Sequence, residues 1–249
     1  MSKNRAKRRA EARRGGGAPG GGTGSNRLYV ILGIVAALAL GSFAYSYFSG
    51  ARTGATAPVE LEGVEDSERL VELAQGIELG DPDAEVTIIE FADYQCPACQ
   101  QFATRVLPSV KRELVDTGLA RYVFYDFPLS SAHQHAFFAA RAARCADDQD
   151  RYWDYHDELF RHQSEWARSG SPARLFSGYA ADLGLDRSEF DSCLRSDRYA
   201  ELVTANQILG QRMGVSGTPT VLVSGGQGGA TRVQNWDFEN IRQAVEDAS

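Results

Sequence analysis

A pair of cysteines at a strand-to-helix junction constrains this chain more than any other feature of its sequence. Cys96-Pro97-Ala98-Cys99 follows an apolar run over 86–91 and opens a segment whose apolar residues recur with helical spacing. Two thiols three positions apart can close into a small disulfide ring and reopen. The first thiol lies at the predicted helix N-terminus, where unpaired backbone N–H groups and the helix dipole favour a thiolate. The motif therefore predicts dithiol–disulfide redox chemistry.

The two thiols are expected to differ in acidity. Pro97 falls at the first helical position, where proline is favoured, so Cys96 lies near the N-cap, exposed and acidified. Cys99 is one turn further on, covered and less acidic, and the pair is predicted to work as an attacking and a resolving thiol. The alternative to redox chemistry is that the two cysteines form half of a zinc site. It would draw its other ligands from Cys145, Cys193 or four scattered histidines, because the sequence has no second Cys-X-X-Cys.

The N-terminal part of the chain has the pattern of a membrane anchor. Residues 1–27 are glycine-rich and carry a net charge of +7, against −7 for the whole chain, which predicts a disordered basic tail. Residues 28–48 carry no charge and as a helix would span about 31 Å, the thickness of a hydrocarbon core. The positive flank places the tail in the cytoplasm and residues 49–249 outside. A cleaved signal peptide is the alternative, although its apolar region would be unusually long. The tail contains no aromatic residue that could stack on a base, so nucleic acid is not an expected partner.

The remaining pattern predicts one α/β domain with a helical insertion. Residues 49–75 are expected to be a tether with a short helix, and residues 76–249 the domain, with the insertion at about 130–213. Expected strands cover 86–92, 121–125, 220–223 and 231–233, and expected helices cover 97–116, 133–147, 150–162, 172–183, 187–195, 197–212 and 237–247. Pro108 should kink the first of these helices, because it has no N–H to donate.

Glu90 is the second residue of chemical interest. It lies six residues before Cys96 in an otherwise apolar strand, on the face of Ile88, so burial is expected. A lone buried carboxyl group tends to stay protonated. Glu90 is therefore predicted to relay a proton to Cys99. The alternative is a glutamate at the strand edge that reaches solvent.

Three motifs in order resemble the DsbA-like branch of the thioredoxin superfamily, and specifically its membrane-tethered thiol:disulfide oxidoreductases. They are the segment EFADYQCPAC at 90–99, the helical block, and VSGTPT at 215–220, within a match over about 76–248. The resemblance implies a thioredoxin fold with an inserted helical domain, preceded here by one transmembrane helix.

The resemblance also implies roles for single residues. Cys96 matches the nucleophile, Cys99 the resolving thiol and Glu90 the buried acid. Pro219 matches a cis-proline that faces the cysteine pair; without the resemblance, a trans proline starting a strand would be expected. Thr218 would offer backbone groups to an extended substrate, which would also meet the surface of Pro97 and Ala98. Many strongly oxidising members have a histidine where this chain has Ala98, so a less oxidising pair is expected.

Cys145 and Cys193 are expected to form a structural disulfide within the helical block. They lie in separate predicted helices, and similar proteins often carry a second cysteine pair there. An oxidising compartment would preserve such a bridge. A second redox-active pair is the alternative. The histidines His133, His135, His156 and His162 are interpreted as packing and capping residues.

Together these features predict a single-pass membrane protein that oxidises reduced cysteines of secreted or periplasmic polypeptides. A membrane quinone-linked oxidase, DsbB-like or VKOR-like, would recycle it, and no cofactor or metal is expected. The alternatives are a reductase or isomerase that uses the same cysteines in the other direction, a metal-binding module, and a redox-silent scaffold.

Overall fold

In the computed structural model of the protein, the described residues are 29–38, 40–41, 54–226 and 229–249. The chain divides into two units, Met1–Ala51 and Arg52–Ser249. In the first unit, residues 29–38 and 40–41 are helical. Among the described residues, none of the helices is long and apolar enough to cross a membrane. The predicted basic tail and the rest of the predicted span, residues 28, 39 and 42–48, lie outside the described residues.

The second unit contains the predicted strands and helices in the predicted order, together with one short strand and one short helix that the sequence does not predict. Its strands are β1 (Ile77–Leu79), β2 (Thr87–Ala92), β3 (Arg121–Asp126), β4 (Thr220–Ser224) and β5 (Thr231–Arg232). Its helices are α1 (Ser67–Leu73), α2 (Pro97–Gln101), α3 (Leu107–Val110), α4 (Ala136–Asp147), α5 (Tyr152–Arg161), α6 (Gln163–Trp166), α7 (Pro172–Asp182), α8 (Arg187–Arg195), α9 (Ala200–Arg212) and α10 (Phe238–Ala248). Helices α4 to α9 form the helical insertion.

The sheet places β2 at its centre, in the order β1-β3-β2-β4-β5. β2 runs parallel to β3 and antiparallel to β4, so Glu90 lies opposite Phe124 on one side and Val221 on the other. β1 pairs antiparallel with β3. The sequence pattern does not predict β1, because three residues are too few to show alternation.

Helices α2 and α3 belong to one helical segment that contains two π-helical turns, Phe102–Val106 and Lys111–Val115. The first of these turns ends two residues before Pro108, where the sequence predicts a kink. Because Pro108 has no N–H, the regular ladder of hydrogen bonds cannot continue through it. The turn before it is widened, and the Leu107 N–H donates to the Phe102 carbonyl five residues back.

Two covalent or ionic links hold the insertion together and attach it to the sheet. A disulfide between Cys145 and Cys193 joins α4 to α8. The Arg144 guanidinium lies 2.6 Å from an oxygen of Asp126, and both side chains are buried. Because Asp126 ends β3 and Arg144 belongs to α4, this ion pair fixes the first insertion helix against the sheet.

Residues 54–64, which the sequence assigns to a tether, lie against the insertion. The Ala55 N–H donates to the Asp197 carboxylate at 2.6 Å, and the Val59 N–H donates to the Thr204 hydroxyl at 3.1 Å. Leu61 packs into an apolar cluster shared by α1 and α9. From residue 54 onward, this part of the predicted tether is therefore attached to the domain.

Replacing Gly210 by alanine should destabilise the protein. Gly210 lies in α9, and a Cβ there would meet Phe127 Cδ2 at 2.6 Å and Phe91 Cδ1 at 3.0 Å. Both rings are buried. We expect Gly210→Ala to lower the free energy of unfolding by about 1–2 kcal/mol, because overpacking outweighs the gain in helix propensity.

Gly178→Ala in α7 is the matched control, because a Cβ there has no atom within 4 Å. We expect it to raise the free energy of unfolding by about 0.5–1 kcal/mol. Urea denaturation measures both. Equal effects of the two substitutions would contradict the close packing of α9 against Phe91 and Phe127.

The double substitution Cys145→Ala and Cys193→Ala removes the disulfide bridge. It should lower the free energy of unfolding by about 2–4 kcal/mol, because the bridge closes a loop of 48 residues. Urea denaturation measures this change. The equilibrium of the Cys96–Cys99 pair with glutathione should stay the same. A large change in that equilibrium with little loss of stability would instead indicate a second redox-active pair.

Candidate active site

The turn between β2 and α2 fixes Cys96 at the start of the helix. Cys96 is the N-cap residue, with extended backbone angles, and Pro97 follows it in the first turn. The Cys96 N–H donates to the Asp93 carbonyl at 3.0 Å, and the Gln100 N–H donates to the Cys96 carbonyl at 3.1 Å. The sulfur of Cys96 therefore sits where the first N–H groups of the helix are free to stabilise a negative charge.

The two cysteines are free thiols of opposite character. The Cys99 thiol donates a hydrogen bond to the Cys96 sulfur, and backbone N–H groups of Cys99 and Ala98 add to it, so the pKa of Cys96 falls to about 5 despite partial burial. Burial raises the pKa of Cys99 well above its usual value, and the hydrogen bond to Cys96 raises it further. The site therefore holds one thiolate and one protonated thiol at neutral pH.

Cys96 is more enclosed than the sequence indicates. Only 8% of its surface is exposed, so the expectation of an exposed thiol is wrong. Its sulfur lies 3.4 Å from the Thr218 carbonyl oxygen, and its own carbonyl accepts a hydrogen bond from Gln163 at 2.9 Å. Both contacts come from distant parts of the chain, which explains why local sequence gives no sign of them.

The loop that covers Cys96 contains a cis peptide bond between Thr218 and Pro219. This loop leads into β4, whose pairing with β2 brings it beside the cysteine motif. A surface groove of about 310 Å³ runs along it, and its walls include Gly217, Thr218, Pro219, Arg232 and Trp236. The buried hydroxyl of Thr218 also acts on Cys96 and helps to lower the pKa of its thiol.

Glu90 lies inside the protein beneath the cysteine pair. It is 1% exposed, in the central strand of the sheet, so the alternative of an edge glutamate reaching solvent is wrong. The Tyr122 hydroxyl donates a hydrogen bond to one of its carboxyl oxygens. Burial nevertheless raises the pKa of Glu90 to about 8, and its charge also acts on Cys99. Glu90 can therefore hold a proton at neutral pH within electrostatic reach of the resolving thiol.

The structure adds a contact that the sequence analysis missed. The His133 Nδ1 atom lies 2.7 Å from an oxygen of the Asp93 carboxylate, which is completely buried. The two residues are 40 positions apart, so no local pattern links them. The sequence feature that could have indicated this contact is Asp93 itself, an acidic residue three positions before the first cysteine.

Of the other histidines, His156 has the predicted packing role, whereas His135 and His162 lie at helix ends without capping a helix through their side chains, so the predicted capping is wrong for them. His156 is fully buried among aromatic rings that include Tyr94 and Phe124. His162 is the C-cap residue of α5. His135 directly precedes α4, and its ring lies 3.0 Å from the Ser169 carbonyl oxygen.

The fold thus brings Cys96, Cys99, Thr218 and Pro219 together, with Glu90 behind them. The bridge between Cys145 and Cys193 belongs to the helical insertion instead. Across the residues described, no group of three or more His, Cys, Asp or Glu side chains is placed to hold a metal ion.

Known proteins share this arrangement. The thioredoxin family model matches residues 72–247. The probable disulfide bond formation protein D of Bacillus anthracis is 29% identical over 170 residues, which cover 68% of this chain and 76% of that protein. The crystal structure of oxidised BdbD from Bacillus subtilis superposes with a TM-score of 0.61 at 25% identity, over 70% of this chain and 96% of that one.

A second group of relatives is much longer than this chain. The Na(+)/H(+) antiporter NhaA 3 of Salinispora tropica is 38% identical over 146 residues, which cover 59% of this chain and 21% of that protein. The predicted thioredoxin fold with a helical insertion is confirmed by the family match and the superposition. The chain belongs to the thioredoxin family, as a DsbA-like thiol:disulfide oxidoreductase.

Proposed function

We propose that this protein is a disulfide-forming oxidase for secreted or periplasmic polypeptides. One observation carries the proposal: the Cys96 sulfur is held as a thiolate at a helix N-terminus, while its partner Cys99 is buried and protonated. A stabilised thiolate favours the reduced form of the pair, and a pair whose reduced form is stable oxidises other thiols. The relative named disulfide bond formation protein D supports this direction.

The proposed reaction begins on the oxidised Cys96–Cys99 pair. A substrate thiolate attacks the Cys96 sulfur, the bond between the two enzyme sulfurs breaks, and its electron pair passes to the Cys99 sulfur. Glu90 supplies the proton that Cys99 takes up, because its raised pKa keeps it protonated at neutral pH. A second substrate thiolate then attacks the substrate sulfur of the mixed disulfide. Cys96 leaves as the thiolate, and the substrate carries away a new disulfide.

The groove beside the cis peptide bond is the proposed binding site for an extended substrate segment. The Thr218 carbonyl oxygen lies 3.4 Å from the Cys96 sulfur, and Thr218, Pro219 and Arg232 all line the groove. Pro97 is exposed and Ala98 half-buried on the other side of Cys96. The groove walls combine small residues such as Gly217 with the large side chains of Arg232 and Trp236.

Residues 28–48 are proposed to anchor the domain in a membrane, with the basic tail in the cytoplasm and the domain outside. The support is the uncharged stretch and its positive flank. The relatives named as Na(+)/H(+) antiporters support a place beside a membrane. A quinone-linked membrane oxidase, DsbB-like or VKOR-like, is the proposed acceptor of the electrons, and the exchange itself needs no cofactor.

Equilibration with glutathione buffers tests the direction of the reaction. We expect a reduction potential less negative than about −200 mV for the Cys96–Cys99 pair, because the thiolate stabilises the reduced form. A value near about −270 mV would favour the reductase alternative.

Cys96→Ala should abolish oxidation of a reduced, unfolded secretory protein. Stoichiometric zinc in the reduced domain without exchange activity would support the metal-binding alternative.

Glu90→Gln should change both the kinetics and the pH dependence of stability. We expect reduction of the enzyme disulfide by substrate thiols to slow on the order of 10²-fold, because the leaving Cys99 loses its proton donor. The folded protein keeps the Glu90 proton up to about pH 8, whereas the unfolded chain releases it near 4.5. The contribution of Glu90 to stability should therefore fall as pH rises between these values. In the reduced wild type this fall opposes the rise that the Cys96 thiolate contributes above about pH 5, and the variant should show the rise alone.

Glu85→Gln is the matched control, because Glu85 is an exposed glutamate just before the same strand. Urea denaturation of the reduced proteins across this pH range, together with stopped-flow reduction, gives both readouts. If the two substitutions had the same effect on rate and on slope, Glu90 would not be the proton donor.

A further inference from the structure

Asp93 contacts both halves of the cysteine motif through its backbone. Its N–H lies 3.5 Å from the Cys99 sulfur as a donor, and its carbonyl accepts from the Cys96 N–H at 3.0 Å. Its carboxylate accepts from the Gln95 N–H at 2.6 Å. The carboxylate therefore has a fixed place in the turn that presents the Cys96 sulfur.

The same carboxylate fastens the loop between β3 and α4 to this turn. Its second oxygen accepts from the Leu129 N–H at 2.8 Å and lies 2.7 Å from His133 Nδ1. The His135 N–H donates to the Gln95 side chain at 2.8 Å. Two hydrogen bonds to Asp93 and one to Gln95 thus hold His133 close to the cysteine motif, with 21% of its side chain exposed to solvent.

A buried carboxylate beside a reactive thiol opposes formation of the thiolate, because two like charges repel. A protonated imidazole on that carboxylate cancels the repulsion. The hydrogen bond to Asp93 raises the pKa of His133, and the negative charge of Cys96 raises it further. Asp93 and Cys96 are the titratable groups that act on His133, since the His135 ring is directed to the Ser169 carbonyl.

We infer that His133, held by Asp93, is a positioning residue whose positive charge stabilises the Cys96 thiolate. Ala98, inside the motif, has no polar side chain that could do this. The inference rests on the proposed exchange chemistry of Cys96. It adds that the oxidising strength of the pair depends on the protonation of a side chain outside the motif.

The stabilisation of the Cys96 thiolate by His133 should depend on pH. From about pH 5, where Cys96 ionises, up to the raised pKa of His133, thiolate and imidazolium coexist in the reduced protein. Above that range His133 loses its charge, and the reduced form loses this stabilisation. By linkage, His133 must hold its proton to higher pH in the reduced protein than in the oxidised one, which has no thiolate.

Thiolate absorbance of the reduced protein, titrated with acid, tests the inference. His133→Gln should leave about tenfold less thiolate at a pH below the pKa of Cys96, because it removes the cation and leaves the carboxylate. His133→Lys should stay close to wild type, because it keeps a positive charge. His135→Gln, two residues along the same loop, is the matched control and should change nothing.

Equal losses of thiolate with glutamine and lysine would show a merely structural role and overturn the inference, as would no loss with glutamine. An NMR titration of the His133 ring in the unaltered protein, oxidised and reduced, needs no variant to fold. Equal pKa values of His133 in the two forms would also overturn the inference. If Cys96 of the wild type ionised like an ordinary thiol, the proposed function itself would fail, whatever His133 does.

Discussion

The pairing of β2 with β3 and β4 is the constraint on which the rest of the site depends. β2 leads directly into the turn that carries Cys96, and its partner β4 follows the loop that carries Thr218. Neither segment would meet the other without this ladder of hydrogen bonds, because 122 positions separate the two residues. The contact that covers the reactive sulfur is thus a property of the sheet rather than of the cysteine motif alone.

The same strand organises the charges around the sulfur. Glu90 lies within the strand, where burial keeps it protonated, and Asp93 follows its end, where a histidine lies against its carboxylate. In the proposed exchange, one acid supplies a proton to the resolving thiol, and the other holds a cation near the attacking thiol. Two carboxyl groups three residues apart have different partners: Asp93 lies against the His133 imidazole, whereas Glu90 accepts from the Tyr122 phenol and is kept protonated by burial.

Much of this architecture follows from the sequence, because its signals are local. Short stretches of sequence predict the apolar strand β2, the helix after Cys99 and the proline at the start of that helix. The family motifs then predict the order of the other strands and helices. What the sequence does not predict arises from contacts between distant segments. The enclosure of Cys96 depends on the loop at Thr218. The pairing of His133 with Asp93 depends on the conformation of the loop between β3 and α4.

The outermost strands of the sheet are very short. β1 has three residues and β5 has two, so neither side of the sheet presents a long row of unpaired N–H and carbonyl groups. A long open edge would invite any unfolded polypeptide to add itself as a further strand. For the proposed oxidation of unfolded polypeptides, such short edge strands lower the risk that a substrate pairs with the sheet instead of reaching the cysteine motif.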